Sequence, residues 1–285
     1  MRESTQADRS AFRKAGYTVV KGLISDREVE RLRTTALEAI DELDRSGATV
    51  TDEGREGTTR VGNSDLLSIP SLRSVLLDPR LLEVIGQLLG GKPCYFGDSS
   101  VRVGKNGTRA WHRDNVDRVR WQRGPDWNEP YQMLRCGLYL QDQAEHSGGL
   151  VLRPRSNRPD RRLPSLPKLV KARAGDLVAW DLRIVHSGEG VRPRGLPWLA
   201  LNPRLQTRLP ARMRIPDGDE RIVMFMTFGC VGGHLEHYIE HYRSRDYMRE
   251  LWANSRFGAD VWEQAERAGL TVLRPAPEYG TPVAE

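Results

Sequence analysis

The chain has 285 residues, 44 Lys and Arg against 38 Asp and Glu, and a formal net charge of +6, long enough for one large domain with a substantial core. The positive charge is mostly arginine and spread along the chain, which reads as a solvated surface and argues against a nucleic-acid partner, since that would need a concentrated basic face with stacking aromatics. Cys94, Cys136 and Cys230 lie far apart without C-x-x-C spacing, and no secretory apolar region follows Met1; the expectation is a reduced cytoplasmic protein with buried free thiols, and no apolar run approaches the ~20 residues that cross a bilayer.

In chain order, residues 1–11 are polar, a frayed end or the start of a short helix, and residues 17–21 read as a strand. Ser25-Asp26-Arg27-Glu28 matches a capping box, and Val29, Leu32, Ala36, Ile40 and Leu43 recur at helical spacing behind it, so a helix is predicted to about Asp44. Residues 47–63, rich in Gly, Thr and charge without periodicity, are expected to form a mobile surface loop. Asp78-Pro79 supplies an N-cap and a first helical residue, and Gly90-Gly91 closes the apolar series Leu81, Leu82, Ile85, Leu88 and Leu89, which predicts a second packing helix.

From Lys92 to about Cys230 short apolar runs alternate with Gly, Pro and Asn. Strands are expected near residues 94–103, 110–114, 134–141, 149–152, 177–180, 183–186, 198–201 and 222–228. That set suits a mainly β fold with flanking helices, built on a double-stranded β-helix (a jelly roll, cupin-like). A single domain over 1–285 is expected, with 1–91 as helical support, 92–230 as the jelly-roll core and 231–285 as C-terminal helix and tail. Two insertions interrupt the core: residues 115–133, carrying Trp121, Trp127 and Tyr131, are placed to cover a substrate, and the basic, proline-rich residues 153–173 read as a solvated connection. Residues 234–255 look helical, and the tail from Pro275 is turn-rich and expected to be loose. His237 and His241 are four apart, but Tyr238 stands where H-E-x-x-H has its acid and the spacing supplies no third donor, so both are expected to be surface or interface histidines rather than ligands.

The chemistry concentrates at Trp111-His112-Arg113-Asp114. In an extended segment the two-residue period puts His112 and Asp114 on one face and Arg113 on the other. His186 is the best candidate to complete a site, because Gly175-Asp176-Leu177-Val178-Ala179-Trp180 reads as a turn into a buried strand leading toward it. Two imidazoles and one carboxylate on one face of a metal suit non-haem Fe(II) and O2 chemistry.

These segments, taken together, resemble the phytanoyl-CoA dioxygenase family of Fe(II)/2-oxoglutarate oxygenases. The resemblance runs from Phe12-Arg13-Lys14-Ala15-Gly16-Tyr17-Thr18-Val19-Val20 through Pro79-Arg80-Leu81-Leu82-Glu83-Val84-Ile85-Gly86 and the H-x-D. It continues over Ser147-Gly148-Gly149-Leu150-Val151-Leu152-Arg153-Pro154 and Ala174-Gly175-Asp176-Leu177-Val178-Ala179-Trp180-Asp181 to His186. It implies His112, Asp114 and His186 as ligands to Fe(II), 2-oxoglutarate and O2 as cosubstrates, and a small-molecule substrate. Halogenating relatives carry a small residue in place of the aspartate, so Asp114 points to hydroxylation, desaturation or oxidative ring formation, with tailoring of secondary metabolites as the expected setting. Trp111, Arg113, Trp121 and Trp127 are the candidate substrate-binding or lid residues.

One element departs from the family pattern. The family places an arginine about eleven residues after the distal histidine to pair with the far carboxylate of 2-oxoglutarate, a task guanidinium geometry suits, and that count from His186 reaches Pro197 and Trp198. Arg204, on the face of Trp198 if a strand runs through both, and Arg192 rank first as substitutes, followed by Arg194 and Arg102 on the strand before the H-x-D. Two alternatives stand beside the oxygenase reading. One is a metal-binding jelly roll without oxygenase activity; the other is a nucleic-acid-directed relative using Arg109, Arg113, Arg118, Arg120 and Arg123. The sequence leaves substrate and oligomeric state open.

Overall fold

Capping chemistry sets the first elements. Helix α1 (Arg9–Ala15) stops at Gly16, whose φ of 83° lies in the left-handed region, and the chain turns at once into β1 (Tyr17–Val20). At α2 (Asp26–Arg45) the Glu28 carboxylate accepts from the Ser25 N–H at 2.7 Å while the Ser25 hydroxyl accepts from the Glu28 N–H at 3.4 Å, the reciprocal pairing of a capping box. The computed structural model describes residues 7–54, 57–105, 107, 110–118, 123–158, 165–206, 208–218 and 220–282.

Residues 49–62 are not a loop. They form a hairpin of β2 (Thr49–Gly54) and β3 (Gly57–Gly62), and β3 pairs with β5 (Ser99–Gly104) through Val61 opposite Arg102. The hairpin is fixed by a strand remote in sequence, which local periodicity does not register. Helix α3 (Arg73–Leu76) precedes α4 (Pro79–Leu89), which starts at the Asp78 cap and ends at left-handed Gly90 as predicted.

The stretch expected as one strand over 94–103 breaks into β4 (Cys94–Tyr95) and β5 at Gly97, where φ is 75° and a Cβ would stand 2.5 Å from the Tyr279 ring. Then come β6 (Met133–Tyr139), β7 (Gly149–Leu152), β8 (Lys168–Leu169), β9 (Leu177–Asp181) and β10 (His186–Gly190). Helix α5 (Pro203–Gln206), β11 (Ile222–Gly229), α6 (Gly233–Arg243), α7 (Asp246–Asn254), α8 (Ala259–Arg267) and β12 (Thr271–Val272) complete the chain. Three further expectations are corrected. Residues 110–114 contribute only a single bridge at His112; the strand expected at 183–186 begins at His186, because Asp181 to Ile184 is a turn; and 198–201 is not a strand, Trp198 being 69% exposed. The connection over 153–173 also pairs at β8.

The large sheet runs β1-β9-β6-β11-β5-β3-β2, and the small one β10-β7-β8. In β11, Ile222, Met224, Met226 and Phe228 face the helices, whereas Val223 and Phe225 face the small sheet, where they join Tyr139, Val178 and Trp180 against Leu150 and Leu152. Two cores on opposite faces of one sheet make a jelly roll wrapped on one side by helices. Among the described residues no helix is long and apolar enough to cross a membrane.

Within the tail, residues 275–282 are not loose. Tyr279 is fully buried, and its hydroxyl donates at 3.2 Å to Asp65, a buried carboxylate that also accepts from Leu67 N–H, Ser99 and Tyr95. Tyr279→Phe is expected to destabilise the protein by about 1–2 kcal/mol, the effect of withdrawing one donor from a buried acceptor, as read by urea unfolding at an unchanged m-value.

Candidate active site

The site begins as backbone. His112 and His186 exchange both main-chain hydrogen bonds at 3.0 Å, and the turn after β9 offers the Leu182 carbonyl to the Asp114 and Asn115 N–H groups at 2.9 and 3.1 Å. These contacts carry three side chains to one point. His186 Nε2 lies 3.5 Å from Asp114 Oδ2, His112 Nε2 lies 3.9 Å from Asp114 Oδ1, and the two imidazole centres are 4.2 Å apart.

Both rings have Nδ1 against a carbonyl oxygen, His112 on Ala110 at 2.9 Å and His186 on Ile184 at 3.2 Å. A carbonyl only accepts, so each Nδ1 carries the hydrogen and each Nε2 presents its lone pair. Burial pushes the His186 imidazole down to about 4, keeping it neutral at physiological pH. Burial alone would raise Asp114, but the neighbouring His186, Arg135 and His112 more than offset it and hold the carboxyl well below its usual range. Two imidazole nitrogens and one ionised carboxylate fit a divalent transition metal with an open face.

Asp114 is held from behind. Trp180 Nε1 donates to its Oδ2 at 3.2 Å, and Arg135, itself bonded to Asp98 at 3.1 Å, brings Nη1 to 3.7 Å. Trp180→Phe is therefore expected to weaken iron binding about tenfold, the lower end for loss of an outer-sphere partner, because Arg135 remains; anaerobic Fe(II) titration measures it.

The same pocket is lined by Arg102, Tyr139, Phe225, Arg221, Thr59, Leu150 and Glu189 as well as Arg135. The guanidinium carbons of Arg102 and Arg221 lie 5.1 and 5.9 Å from the Phe225 ring centre, and Arg221 Nη1 is 3.8 Å from Glu189. Three buried polar atoms of the lining lack a hydrogen-bond partner: Arg221 Nε, Thr59 Oγ1 and Arg135 Nε, the last on the guanidinium already turned to Asp98 and Asp114. A guanidinium N–H and a hydroxyl, both desolvated beside the triad, are what a carboxylate ligand requires.

Of the four arginines singled out by sequence, only Arg102 lines this pocket. Arg204 is exposed on α5, because the strand meant to carry its register is absent. Arg192 is buried but spent on main chain, bonding the Ala144 carbonyl and, at 3.2 Å, that of Pro197; Arg194 is exposed, with Nη2 3.4 Å from the Arg214 carbonyl. Sequence reasoning missed Arg221 and Thr59.

The proposed lid residues are also placed differently. Trp127 is buried between the guanidinium groups of Arg113 and Arg183, each 5.7 Å away, and Arg113 Nε donates to the Arg183 carbonyl at 2.8 Å. Trp111 stacks with Arg153 at 4.8 Å. None of Trp111, Arg113 and Trp127 lines the pocket of the triad; their contacts build loop structure. Trp121, Arg109 and Arg120 lie outside the described residues. His241 Nε2 faces Arg245 at 3.1–3.3 Å, and His237, for which the helical spacing supplies no third donor, meets Asp117 and Asp126 from a remote loop.

The sequence profile of a family described as phytanoyl-CoA dioxygenase (PhyH) matches residues 12–194. No curated protein matches the chain. Among solved structures, the chain is similar to the epimerase SnoN in complex with Fe3+, alpha ketoglutarate and nogalamycin RO (17% identity, 78% of this chain and 81% of that one, TM-score 0.53). It is similar also to HygX from Streptomyces hygroscopicus with nickel and 2-oxoglutarate (17%, 79% and 88%, 0.52), and to EctD from S. alaskensis with 2-oxoglutarate and 5-hydroxyectoine (17%, 81% and 78%, 0.52). At such identities the likeness is one of fold.

Proposed function

Because the chain belongs to the phytanoyl-CoA dioxygenase family, we propose that it is an Fe(II)- and 2-oxoglutarate-dependent oxygenase acting on a C–H bond of a small, polar metabolite. The observation that carries this reading is the coincidence, in one pocket, of an imidazole, imidazole and carboxylate set whose Nε2 atoms are free to ligate and a buried arginine and threonine with unpartnered donors. His112, Asp114 and His186 hold the metal, and Arg221 with Thr59 takes the far carboxylate of 2-oxoglutarate, with Arg102 beside them. When bound, iron, 2-oxoglutarate and O2 supply oxidative decarboxylation to succinate and CO2 together with attack on an unactivated C–H bond.

The protein's part is positioning. The carbonyls of Ala110 and Ile184 fix the imidazole planes, Trp180 and Arg135 fix the carboxylate, and Tyr139, Leu150 and Phe225 exclude water from the cosubstrate's chain. The half-exposed His112 marks the side from which a substrate approaches. An intact Asp114 supports hydroxylation, desaturation or ring formation over halogenation. The titles of similar folds name an epimerase of nogalamycin biosynthesis and a complex with 5-hydroxyectoine, which supports a role in tailoring small metabolites. The packing of Arg113 against Trp127 and the Arg183 carbonyl supports a small-molecule substrate over nucleic acid.

Anaerobic calorimetry with Fe(II) and 2-oxoglutarate, followed by detection of succinate on admitting O2, tests the proposal. Saturable binding and succinate release are expected. Iron uptake without 2-oxoglutarate binding would leave the chain a metal-binding jelly roll.

A further inference from the structure

Past Asp114 the chain doubles back on itself and buries Asn115, Asp117 and Asp126 at 0%, 5% and 0% exposure. Asp117 and Asp126 cap one another: each carboxylate Oδ2 accepts the other's main-chain N–H at 3.0 Å, and Asn115 Nδ2 adds a third bond to Asp126 Oδ2 at 3.0 Å. Gly124 makes room, since a Cβ there, at φ 111°, would lie 2.4 Å from the Asp117 carboxyl. This leaves Asp126 Oδ1 and Asn115 Oδ1 buried without a partner.

Helix α6 lays His237 over the pair. Its Nε2 is buried, has no hydrogen-bond partner, and stands 3.6 Å from Asp117 Oδ2. One donor atom each from Asp117, Asp126 and His237 lies within 4.8 Å of the others. Among the described residues no Lys or Arg comes within ion-pair distance of either carboxylate. Two desolvated carboxylates without a cation are costly. A separation of 3.6 Å is too long for a hydrogen bond but suits two ligands of one ion that sits about 2.1 Å from each.

We propose that Asp117, Asp126 and His237 form a second site for a divalent cation, of the zinc class because the donors mix imidazole nitrogen with carboxylate oxygen, where magnesium and calcium take oxygen. The ion neutralises the two carboxylates, uses donors the protein leaves unpaired, and pins α6 to the segment that follows Asp114. Its role is structural: it braces the stretch of chain next to the H-x-D from outside the pocket.

The test is zinc stoichiometry of the full chain, stripped by chelator, loaded with excess Zn(II) and dialysed, which does not depend on the oxygenase reading. The parent is expected to retain two zinc ions per chain, His186→Ala one, His237→Gln one, and the double variant none. Zinc should raise the Tm of His186→Ala but not that of the double variant, as binding is linked to folding. If the unmetallated His237→Gln chain is already less stable than the parent, Asp126→Asn in the His186→Ala background replaces it, with the same expected loss of one zinc. Equal zinc content and equal Tm gain with and without His237 or Asp126 overturn the site and leave an imidazolium and carboxylate ion pair in its place.

Discussion

His186→Ala is expected to lose turnover entirely and to retain no iron after anaerobic reconstitution and gel filtration. The loss should exceed the 10–100-fold that removal of an outer-sphere partner brings, since a whole donor goes. His186 is buried with its Nδ1 engaged, so no neighbouring side chain can swing in to replace Nε2. His112→Ala should behave alike. For the carboxylate, Asp114→Asn is the cleaner probe, because the amide keeps a carbonyl for Trp180 Nε1 and Arg135 still holds Asp98. The fold should persist in all three, for the main-chain bonds joining His112 to His186 do not involve the side chains. Iron content and urea unfolding, measured together, separate a lost site from a lost fold. Should His186→Ala bind iron as the parent does, the distal ligand is another residue.

What was legible in the sequence is what local chemistry decides. Ser25 with Glu28, Asp78 with Pro79, and Gly90 announce helix ends because each acts within one turn. His112 and Asp114 were legible as a pair because alternation needs only two residues. The hairpin at 49–62 was not, since Val61 is held by Arg102's strand far along the chain; with it went Thr59. Tyr279 lies among Pro and Gly in a stretch with no periodicity, and only the pocket around Asp65 and Gly97 explains its burial. His237's partners Asp117 and Asp126 are on a loop that pairing and burial, not spacing, bring beneath it.

Arg221 was missed for a different reason, and its replacement is the most informative experiment on the pocket. Counting from His186 assumes that the next strand follows closely, but residues 191–220 make a long excursion with exposed Trp198 and α5 before β11 returns between β5 and β6. The signal lay at the other end: Val223 and Phe225 face the pocket side of β11, and the two-residue period carried back one step reaches Arg221. Its Nε is buried and unpartnered, and Glu189 lies 3.8 Å from its Nη1 on one side. A dicarboxylate bound beside the metal needs such a partner, because an unpaired carboxylate in a closed pocket costs several kcal/mol. Arg221→Gln is expected to raise the KM for 2-oxoglutarate about 10–100-fold, from a charge-assisted pair contributing about 1.5–3 kcal/mol, while iron stoichiometry and the KM of the primary substrate change little. Thr59→Val should act in the same direction and more weakly, near fivefold, as one neutral bond of about 1 kcal/mol. Arg204→Gln, exposed on α5, should leave the cosubstrate unaffected. If Arg221→Gln leaves the KM for 2-oxoglutarate unchanged and Arg102→Gln raises it, the anchor is the β5 arginine and Arg221 serves only to hold Glu189.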